Sequence, residues 1–185
     1  SFGDEEIDEH RLAEQLEIDP DLARGACWYW IRKLQAYVHS GEHDLAVAVA
    51  AKAERFLWLT SAEFLEAEYH FYGALARAAA ADSAGPEERR ALLADVAGHL
   101  QRLLEWAGNC PDNFESRALL LGAEIARLDG RELDAERLYE QAIRSARVNG
   151  FICIEALASE MAGRFYGARG FETSASAHLR EARYC

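Results

Sequence analysis

Proline is scarce in this 185-residue chain, and each of the three stands at the head of an apolar periodic segment: Asp19-Pro20, Gly85-Pro86 and Cys110-Pro111. Proline suits the first turn of a helix, because the N–H it lacks would have no intrahelical partner there. Stretches of alternating polar and apolar residues rich in β-branched side chains are missing, which argues against sheets. No charge-free apolar run approaches the length of about 18 residues that a membrane span needs, and no secretory leader is visible. The four cysteines, Cys27, Cys110, Cys153 and Cys185, are scattered and form no C-x-x-C pair. That excludes a disulfide framework or a zinc knuckle and predicts buried free thiols in a reducing, cytoplasmic compartment.

Positive charge is also short. The formal charge is −12, and residues 1–20 alone hold eight acids (Asp4, Glu5, Glu6, Asp8, Glu9, Glu14, Glu17, Asp19) against Arg11. That segment contributes −7 and the rest of the chain −5. Phosphate contacts need clustered Lys and Arg, so nucleic acid is excluded as a partner. The chain opens on Ser1 and stops at Cys185, as expected of a piece excised from a longer protein.

What is present in quantity is Ala, Leu, Glu and Arg, all good helix formers. Breakers cut the sequence into helix-sized blocks at about 5–17, 20–39, 43–58, 62–81, 86–108, 113–129, 131–148, 151–169 and 171–184. The joints between them (HSGEH, TSAE, DSAGPEE, NCPDN, LDGRE, VNGF, ARGF) are short, so neighbouring helices must run antiparallel. A chain of this length buries roughly 70% of its unfolded surface and needs no metal or disulfide to fold, and no cofactor is expected. The expected organisation is an acidic segment with a short helix over 1–19, then one helical domain over 20–185.

Within that domain the spacing repeats. Aligned on Gly41, Gly130 and Gly170, the positions five on are Ala46, Ala135 and Ala175. Nine on come Ala50, Tyr139 and Leu179, and twelve on come Ala53, Ala142 and Ala182. Seven before the glycine stand Leu34, Ala123 and Gly163. Small residues on both helices of a pair let the backbones approach, and the larger side chain fills the space beside that contact. A pair cannot bury its apolar face alone, so the pattern predicts an all-α solenoid of about four antiparallel pairs, near 20–58, 62–108, 113–148 and 151–185.

These positions resemble the tetratricopeptide repeat, most closely in the last two units. Longer stretches, ACWYWIRKLQAYVHSGEHDLA, AEYHFYGALARAA, CPDNFESRALLLGAEIARLDGRELDAERLYEQAIRSARVNGF and EALASEMAGRFYGARGFETSASAHLREARYC, are similar to the helical region of very large bacterial signalling kinases. In that family a serine/threonine kinase-like domain and an AAA-type ATP-binding domain precede the helical region. GAF or PAS sensors, and often a histidine kinase, follow it. The resemblance implies a non-catalytic interaction or relay module that contacts neighbouring domains or protein segments. The family often carries His-Asn where this chain has Cys153 and Ile154. Kinase and ATPase signatures are absent from the sequence.

Residues that could carry chemistry have plainer readings beside them. DEEIDEH, residues 4–10, reads as a metal cluster or as a solvated charged face, and the second is favoured because nothing scaffolds the ligands. His99 is the acceptor in the alternative reading, a helical phosphorelay domain, but it lacks the basic-glycine pair expected after such a histidine. Cys153 reads as a buried thiol. Trp28, Tyr29, Trp30, Trp58, Phe64, Tyr69, Phe71 and Tyr72 read as the core of the first two pairs, with each buried indole bonded to an acceptor.

In the tetratricopeptide-like phase the first helix of each pair lines a groove through Gln35, His39, His70, Arg77, Arg117, Glu124, Arg127, Glu160 and Arg164. Its arginines would hold carboxylates of a partner, or pair internally as Glu124 with Arg127 and Glu160 with Arg164. The acidic segment 4–17, tacked on by Leu12 and Leu16, is expected to lie against that surface. An open last pair would expose apolar surface and favour a homodimer. If the small residues are contact points, Ala135→Leu and Ala142→Leu should each lower unfolding free energy by about 1–3 kcal/mol. Denaturant titration checks this, and an unchanged midpoint would remove the repeat assignment.

Overall fold

The structure is a computed structural model that describes residues 9–59 and 64–184. Among these the chain is all-α. Nine helices follow in order: α1 (Glu9–Ile18), α2 (Ala23–Ser40), α3 (His43–Glu54), α4 (Phe64–Ala80), α5 (Pro86–Asn109), α6 (Pro111–Leu128), α7 (Glu132–Val148), α8 (Ile152–Ala168) and α9 (Glu172–Tyr184). Short 3-10 turns cover Pro20–Leu22 and Leu57–Leu59. Each proline sits in the first turn of its element, and the Asp19 carboxylate caps the first by accepting the Asp21 N–H at 2.9 Å.

Four of the joints have one geometry. Gly41, Gly130, Gly150 and Gly170 take φ of 77°, 73°, 75° and 78°. The residue after each glycine donates its N–H to the carbonyl five residues back: Glu42 to Tyr37, Arg131 to Ala126, Phe151 to Ala146 and Phe171 to Tyr166, at 2.8–3.0 Å. This closes the outgoing helix with a Schellman turn. The carbonyl of that same residue then accepts an N–H of the next helix, from Ala46, Ala135, Glu155 and Ala175 respectively. Two residues thus end one helix and begin another. The repeat alignment uses only three of these glycines. Gly150 shows that the joint between pairs is built like the joint within them.

The chain divides into two compact units, residues 1–73 and 74–185, with the boundary inside α4. In the first unit α2 packs on α3, and α1 packs on α2. Ala26, Cys27, Trp30, Ile31 and Leu34 of α2 meet Ala46, Val49, Ala50 and Ala53 of α3 in its core. Leu16 is buried, and Glu17 pairs with Lys52 at 2.5 Å. The helix expected over 43–58 ends at Glu54. From there the Phe56 and Leu59 N–H groups reach back only three residues, which tightens the chain into a 3-10 turn.

The aromatic core is smaller than expected. Trp30, Tyr69, Phe71 and Tyr72 are buried, but Trp28, Trp58 and Phe64 are exposed by half or more. Trp28 lies two residues from Trp30, about 200° around the helix, so one helix face cannot bury both. Trp30 also departs from expectation: its Nε1 finds no acceptor among the described residues. Its ring instead lies under the Lys52 ammonium at 4.5 Å.

In the second unit α5 packs on α6, α6 on α7, α7 on α8 and α8 on α9, with α6 also reaching α8. Ala123, Ala135, Ala142 and Ala162 are fully buried, and Tyr139 and Phe165 fill the space beside them with ring centres 5.3 Å apart. Ala175 is buried too, while Leu179 keeps 37% exposure and Ala182 is half-buried. Helices α8 and α9 approach closely at Gly163. A Cβ on Gly163 would stand 2.8 Å from Leu179 Cγ and 3.2 Å from the Ala175 carbonyl oxygen, whereas one on Gly167 would meet Ala175 Cβ at an ordinary 3.7 Å.

Two identical substitutions one turn apart should therefore differ in sign. Gly163→Ala is expected to lower stability by about 1 kcal/mol, overpacking exceeding the gain in helix propensity. Gly167→Ala should be neutral or stabilising by up to about 1 kcal/mol. Adding Leu179→Ala to Gly163→Ala should recover part of the loss. Thermal melts of the four proteins decide it, and equal shifts for both glycines would contradict the close approach.

Candidate functional site

The most developed polar arrangement lies in the second unit, on α6, α7 and the turn after α4. Glu124 is buried on α6. One carboxylate oxygen accepts the Tyr139 hydroxyl from α7. The other accepts Arg127 Nε and Nη2 at 3.0 and 2.8 Å. Arg127 also makes a bidentate pair with Asp82, at 2.8 and 2.9 Å. Burial pushes the Arg127 guanidinium down, but its bonds to Asp82 and the charge of Glu124 outweigh that and hold it above its usual range. Burial pushes the Tyr139 phenol well up, and the Glu124 carboxylate pushes it further. With both oxygens engaged, Glu124 acts as a fastener between helices.

A second arginine serves the same joint. Arg89 of α5 donates to the Ala81 carbonyl at 2.7 Å and to the Leu128 carbonyl at 2.6 Å. These carbonyls end α4 and α6, where a cation is favoured by the helix dipole.

The residues proposed to line a groove fall differently from one another. Arg117 is buried, donates to the Asn113 carbonyl at 2.9 Å and stacks over Phe151 at 4.9 Å. Arg77 is buried, with Nε 3.6 Å from Asp95 Oδ2. Both face the interior. Both anticipated internal pairs form: Glu124 with Arg127, and Glu160 with Arg164 at 2.5 Å. Of the four arginines only Arg164 is exposed. In the first unit Gln35 bonds Arg32 and Glu68, exposed His39 packs against Tyr72 with ring centres 5.5 Å apart, and half-buried His70 lies 4.0 Å from Glu66.

His99 is half-buried on α5. Cys27 is buried, but Cys153, expected to be a buried thiol, is exposed in the first turn of α8. There the inward positions are taken by Ile154 and Glu155. The acidic run 4–8, the side chains of Glu9 and His10, the TSAE joint and Cys185 lie outside the described residues. Among the described residues no group of His, Cys, Asp or Glu could hold a metal ion, and no helix is long and apolar enough to cross a membrane. No protein family, curated protein or solved structure matches the chain.

Sequence reasoning missed Asp82, Arg89 and the bond from Tyr139 to Glu124. Asp82 and Arg127 are 45 residues apart, and no local spacing connects them. The pH dependence follows from Tyr139. Its phenol ionises near the ordinary 10.0 in the unfolded chain but far higher when folded, so its contribution to stability is whole below that value and declines as pH rises past it. Tyr139→Phe should cost about 1–3 kcal/mol at neutral pH, by leaving Glu124 short of a donor. It should also flatten the alkaline decline relative to wild type. Urea titrations at neutral and alkaline pH measure both, and parallel profiles would remove Tyr139 from this role.

Proposed function

We propose that the chain is a non-catalytic interaction or relay module, an α-solenoid of tetratricopeptide-like pairs belonging to a bacterial signal-transduction kinase. The observation that carries this reading is the fourfold use of one two-residue glycine turn, with a buried alanine (Ala46, Ala135 or Ala175) five positions after three of the four glycines. Repeated antiparallel units of this kind make extended surfaces that hold protein segments. The conspicuous buried polar groups support the same reading, because Glu124, Arg127 and Tyr139 are consumed by one another. The sequence resemblance adds neighbouring ATP-binding and sensor domains as the natural partners. A helical phosphorelay using His99 is the competing reading.

Site-specific photocrosslinking in cells tests the proposal. A photoreactive residue at Arg164, on the first helix of its pair, should capture a discrete protein or a neighbouring domain. The same residue at Arg137, on the second helix of the preceding pair, should not. No product from either position would overturn the reading. Incubation with a small-molecule phosphodonor should leave the chain unlabelled. Label that is lost in His99→Ala would replace the interaction module with the phosphorelay.

A further inference from the structure

Helix α2 is unusual in this acidic chain: its eighteen residues contain no Asp or Glu, yet include Arg24, Arg32, Lys33 and His39. Its buried face is occupied by Ala26, Cys27, Trp30, Ile31 and Leu34. Trp28 and Arg32, one turn apart, lie on the exposed side, with Trp28 at 51% exposure. The Arg32 guanidinium stacks over the Trp28 ring at 4.8 Å.

What holds Arg32 there is a relay from the interior. Glu68, buried on α4, accepts the Gln35 amide nitrogen. That fixes the amide orientation and turns its oxygen to Arg32 Nη1, at 2.7 Å. Arg32 makes no ion pair with a carboxylate among the described residues. One nitrogen is thus committed to Gln35 and one face to the indole, and the remaining N–H groups are free for a planar anion. A guanidinium fixed in advance loses little freedom on binding a carboxylate in bidentate fashion. The half-exposed indole beside it offers an apolar ledge.

We propose that this face of α2 is a docking surface for an acidic peptide segment of a protein partner. A carboxylate would engage Arg32, and an adjacent apolar side chain would cover Trp28. The inference rests on the interaction-module reading and narrows it to one partner chemistry. Local charge complementarity selects the occupant: within an acidic chain, α2 carries cations and no acid, so this face favours carboxylates.

Fluorescence anisotropy of a labelled Asp/Glu-rich peptide with one central leucine, titrated with the full chain, tests it. Binding should weaken as salt rises, and the Asn/Gln counterpart of the peptide should not bind. Arg32→Glu and Trp28→Ala should each weaken binding about tenfold or more. Arg32→Lys, which keeps the charge but loses the fork, should also weaken it. Arg144→Glu, on exposed α7 surface, should leave it unchanged. All variants are compared at equal helicity by circular dichroism. Absent binding, equal binding by the Asn/Gln peptide, or an equal loss with Arg144→Glu would each overturn the proposal. Crosslinks from Arg164 alongside a failed peptide titration would discard the α2 surface while leaving the interaction reading standing.

Discussion

A turn of two residues leaves adjacent helices nowhere to go except back along each other, and most of this chain's packing follows from that constraint. The glycine at positive φ is what makes so short a joint possible, since another L-residue there would cost about 1–2 kcal/mol. Helices joined so tightly must approach closely, and close approach admits only small side chains at the crossing. Ala135, Ala142 and Ala175 occupy such places, and at Gly163 even a methyl group is too much. Bulk is displaced to the flanks, where Tyr139 and Phe165 meet. Turn and small residues are one device seen at two points.

The joint between α4 and α5 shows the same constraint by contrast. Its glycine, Gly85, has φ of −66°, and the turn does not close on itself as the others do. Here arginines supply the closure. Arg89 binds the carbonyl ends of α4 and α6, and Arg127 grips Asp82 in the turn. Arg127 in turn neutralises buried Glu124, whose other oxygen fixes Tyr139. A guanidinium suits this work because its planar fork can serve two partners at once. Arginine side chains thus add fastenings to a longer turn whose own backbone bonds, from Asp82 to Ala79 and from Ser83 to Ala80, reach back only three residues.

This division explains what could be read from the residues alone. Helix existence was legible because prolines and turn glycines punctuate strong helix formers. The buried alanines were legible because their spacing repeats from one glycine to the next. The Schellman turn at Gly150 went unused because an alignment of pairs looks past the joint between them. The Asp82–Arg127 clamp joins residues far apart in sequence, and its partners look like any acid and any arginine. The same blindness placed Arg77 and Arg117 in a groove: a register argument gives the face of a helix but not whether another element covers it. Trp28 misled for a related reason, since size and apolarity favour burial only where the helix phase permits it, and Trp58 misled because the helix expected to carry it stops at Glu54. Cys153 is exposed for the same cause, one residue out of phase with Ile154.

Electrostatics ties the interior to the surface. Lysine is nearly absent, and its two members, Lys33 and Lys52, both lie near the Trp30 ring, at 6.0 and 4.5 Å. Both ammonium groups are thus drawn to the ring of one indole, whose Nε1 has no acceptor among the described residues. Arginine carries the remaining positive charge, and along α6–α9 much of it is turned inward or sideways: Arg127 to Asp82 and Glu124, Arg147 to Glu155 and Glu181, Arg169 to Glu132 and over Phe165. Such pairs fix helices to one another and spend the charge that a partner would otherwise meet. On α2 the absence of acids breaks that habit. Arg32 is steadied by an amide and an indole, neither of which cancels its charge, so the fold's own way of anchoring arginines leaves this one cationic toward solvent.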